Sequence, residues 1–189
     1  MKKNIWTRLL HAALALAVIH QLVISNFMQA PLDGKPENFA FELHETGGLI
    51  SLGLVTLFWL WALLRKADTP LARLVPWFHR DRRIAVFHDA RDALRAALRL
   101  DLGAIPADSA LSSAVHGLGL MAVLGAAATG AGWLVFEESN KDVAEAFAET
   151  HEAVTTLVWA YLIGHASMAV LHELGGHAVL RRMFPFGRH

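Results

Sequence analysis

The sequence predicts an all-α membrane protein, a four-transmembrane-helix bundle with both termini cytoplasmic, and three observations carry that reading. Of its 189 residues 54% are hydrophobic, with a mean hydropathy of +0.38, and the apolar residues come in long blocks, which is too apolar for an average soluble domain. Four of those blocks are long enough to cross about 30 Å of hydrocarbon. The third observation is the placement of the 17 Lys and Arg residues: three lie at Lys2, Lys3 and Arg8, nine between Arg65 and Arg99, and three from Arg181 onward. Only Lys35 and Lys141 fall in the other two connections. By the positive-inside rule the termini and the central loop are cytoplasmic and the remaining loops face outward, as an even number of spans requires. Residues 1–189 are expected to form a single multi-pass membrane domain, with lipid as its surroundings.

In chain order, the first span is expected at Ile5 to Phe27. Its basic start resembles a signal peptide, but Arg8, His11, His20 and Gln21 interrupt the apolar region, so it is expected to be a retained helix. Pro31, Gly34 and Pro36 mark the connection from Met28 to Glu42 as a loop. His44 to Leu64 is the second span, and the third, Ala110 to Phe136, is rich in the Gly and Ala that close packing in lipid needs. The fourth is expected from His151 to about Leu180. Within the central loop, 65–109, the stretch Arg82 to Leu100 can place Phe87, Leu94 and Leu98 on one face and Arg91, Asp92 and Arg95 elsewhere. That pattern fits a surface-lying amphipathic helix, and equally a helix packed against the bundle end or a solvated one.

Cysteine is absent, which removes disulfides, iron–sulfur clusters, thiolate catalysis and covalent c-type haem attachment. Lys plus Arg equals Asp plus Glu, so net charge gives no sign of nucleic acid. Eleven histidines remain as metal ligands. His151 and His165 are 14 residues apart in HEAVTTLVWAYLIGH, so their imidazoles fall within about 40° of one helical stripe and about 21 Å apart along it. An imidazole inside lipid is costly and calls for a partner. His44 opens the second span and matches His151 in height at the outer side, and His11, about 9 Å inside Ile5, matches His165 at the inner side. His172 lies within about 20° of the same stripe and fits His11 comparably well in depth, so spacing leaves the fourth ligand open between His165 and His172. Two facing pairs are what two non-covalent, bis-histidine haems b need, and such sites, with no open coordination position, suit electron transfer.

Several motifs at these positions carry a resemblance to a known family: RLLHAA around His11, LHETGG around His44, VHGLGL around His116, HE at 151 and 152, GHASMAVLH from Gly164 to His172 and LRRMFP from Leu180 to Pro185. Over nearly its whole length the chain resembles the bacterial cytochrome b561 family, whose relatives include superoxide oxidase and the cytochrome b subunits of hydrogenases. The resemblance implies four helices with cytoplasmic ends, two haems b, exchange with the quinone pool, and ligands at His11, His44, His151 and His165, favouring His165 over His172.

The other histidines have plainer readings. His116 can support a haem propionate or a quinone, or make an ordinary buried hydrogen bond. Arg8, one turn before His11, can bond a propionate or quinone head or anchor the span by snorkelling. His20, about 180° from His11, is expected to pack within the bundle, and His79, His88, His177 and His189 to be solvated or interfacial. HELGGH, from His172 to His177, lacks the HExxH spacing of zinc proteases, because a five-residue step turns about 140° on a helix. The six tryptophans read as interfacial or core residues.

The outer loops and helix ends carry ten acids, Asp33, Glu37, Glu42, Glu45, Glu137, Glu138, Asp142, Glu145, Glu149 and Glu152, against Lys35 and Lys141. A surface of net −8 draws in basic proteins such as a periplasmic cytochrome c and repels superoxide. The expected function is therefore electron transfer across the inner membrane between the quinone pool and a periplasmic partner. The alternatives are a superoxide:quinone oxidoreductase, a haem-bearing anchor subunit of a larger dehydrogenase or hydrogenase, and a histidine-lined metal or proton transporter without haem.

Overall fold

A computed structural model of the chain describes residues 4–31, 36–65, 71–99, 101, 106 and 108–183. Lys2, Lys3, Asp33, Gly34, Lys35, Leu100, His189 and the Phe184–Pro185 end of LRRMFP, all used above, lie outside the described residues, as do the side chains of Arg181 and Arg182. Among the described residues seven α-helices follow in order: α1 (Ile5–Ile24), α2 (Phe39–Leu64), α3 (Leu71–Leu74), α4 (Arg80–Leu98), α5 (Ala110–Phe136), α6 (Lys141–Leu174) and α7 (Val179–Met183), with a 3₁₀ turn at Pro76–Phe78. No strand occurs among the described residues. The four long apolar helices α1, α2, α5 and α6 are each able to cross a membrane, and the protein is a multi-pass membrane protein.

Polar caps set the helix ends. The Asn4 side chain accepts from Trp6 N at 2.9 Å and starts α1. Asn38 accepts from Phe41 N at 3.0 Å and Asn140 from Val143 N at 3.2 Å, so α2 and α6 begin five and ten residues before His44 and His151, where the apolar runs alone put them. Ser109 and Ser112 form a reciprocal cap on α5, each side chain accepting from the other's N–H at 3.0 Å. At the other end of α6, Gly176 takes φ 86°, a conformation that suits glycine, and His177 N–H donates to the His172 carbonyl at 3.0 Å. The helix therefore stops at Leu174, short of the expected Leu180, and α7 follows separately, its Leu180 N–H held by Glu173 at 3.0 Å.

The chain divides into two compact units. The first comprises Met1–Leu9, Leu60–Leu120 and Tyr161–His189, the second Leu10–Trp59 and Met121–Ala160. Buried side chains of the first include Thr7, Ala62, Leu74, Ala96 and Ala114; those of the second include Leu14, Phe41, Ser51, Val55, Phe58 and Val158. Across a bilayer-facing surface such as Leu16 (70% exposed), Leu63 and Leu157 the apolar side chains stay uncovered, since lipid, as apolar as the core, takes the place that a soluble protein fills with other side chains.

Candidate functional site

In the second unit, α2 and α6 bring His44 and His151 together, their ring centroids 6.0 Å apart and their planes 85° to each other. The depth matching of the sequence thus corresponds to a real juxtaposition. The His151 ring is fixed from α5: its Nδ1 lies 2.8 Å from the Ala126 carbonyl and 3.3 Å from Thr129 Oγ1. A carbonyl only accepts, so Nδ1 carries the proton and donates it, which leaves Nε2 with its lone pair free for a metal.

His44 is held from α1. In the orientation that satisfies both ends of the Gln21 amide, its nitrogen donates to the His44 carbonyl at 2.8 Å and to His44 Nδ1 at 2.9 Å, and its oxygen accepts from Gly48 N–H at 3.2 Å. Room for the amide comes from Gly47, where a Cβ would overlap the Gln21 side chain. As the acceptor from this amide His44 Nδ1 carries no proton, so Gln21 sets where the His44 ring lies, and the hydrogen bond that leaves Nε2 with a free lone pair is the one at His151. Gln21 was visible in the sequence only as an interruption of an apolar run. The signal that singles it out is a polar side chain on α1 facing a Gly-Gly pair on α2, and neither helix shows it alone.

The first unit holds a second imidazole pair. His116 and His165 stand 5.0 Å apart at 85°. Tyr161 stacks on His165 at 5.3 Å and 12°, in space that exists because a Cβ at position 119 would overlap the phenol ring. His116 Nδ1 donates to the Ser112 carbonyl one turn earlier on its own helix, which directs Nε2 outward. Arg8 belongs to this unit, half-buried beside the buried Thr7, whose hydroxyl accepts from Trp61 Nε1 at 2.9 Å and Arg65 Nη1 at 3.4 Å. His11, half-buried, belongs to the second unit.

His20 and His172 form no ring contact with either of these pairs among the described residues. His20 is exposed and lines a shallow groove with Gln21, Leu43 and Thr46. His172 faces His177, with centroids 5.4 Å apart. The 140° separation expected of that pair assumes an unbroken helix, and the turn at Gly176 folds His177 back onto α6.

The described acids around the α1–α2 and α5–α6 connections, Glu37 to Glu45 and Glu137 to Glu152, all lie in the unit that holds His44 and His151. Beyond the end of α5, the Glu137 carboxyl is pushed above its ordinary pKa by desolvation and then by Glu45, Glu138 and Glu37. Repulsion of this kind is the signature of a crowded negative surface.

Long apolar helices that bring imidazoles together define a class, helical membrane proteins with histidines among their spans. The family model described as prokaryotic cytochrome b561 matches residues 3–186, and the chain belongs to that family. Its role is accordingly that of a membrane cytochrome carrying haem b in electron transfer. No match was found among the curated proteins or among the solved structures.

The residues present fit a haem. Its porphyrin supplies four nitrogens, so the protein needs to add only two, and no larger cluster of His, Asp or Glu converges among the described residues. Two imidazoles on opposite sides of one metal, each at a metal–nitrogen distance of about 2 Å, have ring centroids about 6 Å apart, the spacing of His44 and His151.

Proposed function

We propose that the protein is a di-haem b-type cytochrome that carries electrons across the bacterial inner membrane between the quinone pool and a redox partner on the periplasmic side. The observation that carries this reading is the His44–His151 pair, 6.0 Å apart on membrane-spanning helices, with Nδ1 of His151 tied to the Ala126 carbonyl. When bound, haem b would supply an iron that accepts and returns single electrons, and His44 and His151 would be the residues that hold it.

His44 and His151 hold the outer haem. For the inner haem the sequence spacing and the family motifs assign His11 and His165. Stacked on Tyr161 and edged by His116, His165 is poised differently from His172, whose ring meets His177 near the end of α6. His116 and Arg8 support the inner cofactor or the quinone head by hydrogen bonding. Half-buried Arg8 and His116 are each able to donate a hydrogen bond to a quinone head and so to orient it.

The acidic surroundings of the outer pair favour a cationic partner, such as a periplasmic cytochrome c, over superoxide, an anion that the same field repels. A pyridine haemochrome assay with a redox titration tests the reading. Two haems per chain with two separable potentials are expected, and fewer than two in fully loaded protein would overturn it. Oxidation of superoxide near the diffusion limit at low salt would reverse the order of the two reactions. Stoichiometric copurification of a second polypeptide would instead make the chain the anchor subunit of a larger dehydrogenase.

A further inference from the structure

Helix α4 turns its large apolar side chains away from the protein. On a wheel of about 100° per residue its less exposed positions, Arg82, Val86, Asp89, Ala90, Ala93 and Ala96, form one stripe. Ile84, Phe87, Leu94 and Leu98 form another, centred about 140° away, and they are 43%, 69%, 61% and 77% exposed. A helix packed on the protein through its apolar face would bury the second stripe, and a merely solvated helix would not have one.

The position of α4 is also fixed. Asp89 Oδ2 accepts from Ala110 N at 2.7 Å and Leu111 N at 3.1 Å, so the middle of α4 caps the start of α5. Because α5 is a membrane-spanning helix of 27 residues, about 40 Å against about 30 Å of hydrocarbon, its first turn lies at the level of the lipid headgroups. Tied to that turn, α4 is confined to the same level. Arg83 and Arg95 flank the apolar stripe on either side, and Arg80 and Arg91 lie within it, Arg91 against the expectation that it would face elsewhere. All four are exposed, and their long stems let the guanidinium groups reach lipid phosphate while the stripe stays in an apolar layer.

We propose that α4 is an interfacial helix whose Ile84, Phe87, Leu94 and Leu98 stripe seats in the headgroup layer beside α5, with Arg80, Arg83, Arg91 and Arg95 binding the phosphates of anionic lipid. The inference does not depend on haem. Because the chain has no cysteine, single cysteines at Phe87, Leu94 and, off the stripe, Asp81 can carry nitroxide labels in the full-length protein. Reconstitution is into nanodiscs of phosphatidylcholine with or without phosphatidylglycerol. With phosphatidylglycerol present, the ratio of oxygen to aqueous nickel-chelate accessibility at 87 and 94 is expected to exceed that at 81 at least about threefold. The variant R83Q/R91Q/R95Q, and equally the membrane without phosphatidylglycerol, should lose about half of that excess. Equal ratios at the three positions would overturn the proposal, as would exclusion of both reagents from 87 and 94, the signature of a protein seated on the stripe. An excess untouched by both the arginine changes and the lipid change would overturn the assignment of anionic phosphate.

Discussion

Each of the two units holds a pair of perpendicular imidazoles, and the two pairs are supported by different means. At His44 and His151 the support is polar and comes from other helices: a carbonyl on α5 takes the proton of one ring and an amide on α1 engages the other. At His116 and His165 it is aromatic and local, a phenol four residues before His165 on the same helix and a carbonyl four residues before His116 on its own. A hydrogen bond donated by Nδ1 raises the basicity of Nε2, one accepted by Nδ1 keeps the proton on Nε2, and stacking fixes the plane of a ring. His151 is thus held in the tautomer that offers Nε2, and His44 is held in place by the amide at its Nδ1. In the other unit His116 is held through Nδ1 and His165 against the Tyr161 ring.

The largest effects separate these roles. His44→Ala and His151→Ala are each expected to remove one of two haem equivalents, read by pyridine haemochrome, and to leave the helix content of the protein unchanged by circular dichroism. His165→Ala should likewise remove one equivalent. His116→Ala should retain both and move a single midpoint potential, so loss of a full equivalent from that variant would erase the proposed contrast within the pair.

Next in size is the polar support. Gln21→Leu is expected to weaken haem retention about 10- to 100-fold, measured as transfer to apomyoglobin, the range typical for losing a hydrogen bond to a metal-bound histidine. Gly47→Ala, which displaces the same amide, should act in the same direction. Tyr161→Leu, which removes only stacking, should cost less, and an equal loss would show that the two modes of support are equivalent.

Smaller effects come from charge. Electron transfer to a cationic cytochrome c should slow as salt rises from low ionic strength to physiological values, and Glu45→Gln with Glu137→Gln should flatten that dependence in stopped-flow rates. Glu137→Gln alone should raise the thermal midpoint slightly at pH 7. The raised pKa of Glu137 in the folded chain means that its ionised form opposes folding. The gain should therefore vanish below about pH 4.5, where the carboxyl is protonated in both states.

The sequence made the helices legible because each lipid-crossing segment must satisfy its own backbone and present an apolar surface throughout, a constraint written residue by residue. The third span, Ala110 to Phe136, has the same limits in sequence and structure. Errors gathered at ends that polar residues set: Asn38 and Asn140 start α2 and α6 outside the apolar runs, and Gly176 ends α6 early. Periodicity and depth together singled out His44 and His151, since a regular helix converts residue number directly into height and direction. What they could not reveal is which group holds each ring. The Ala126 carbonyl has no side-chain signature, and the Gln21 amide matters only because α1 lies against Gly47 and Gly48 of α2. The same limit applied to α4, whose amphipathic pattern was plain in the sequence but whose outward-facing side was decided by Asp89. By itself, then, the sequence determined the spans, the heights of the histidines along their helices and the acidic sign of the α1–α2 and α5–α6 connections, all of which follow from one chain segment at a time. The tautomers, the ring partners and the exposed face of α4 were decided by tertiary structure, because each depends on an atom contributed by a different helix.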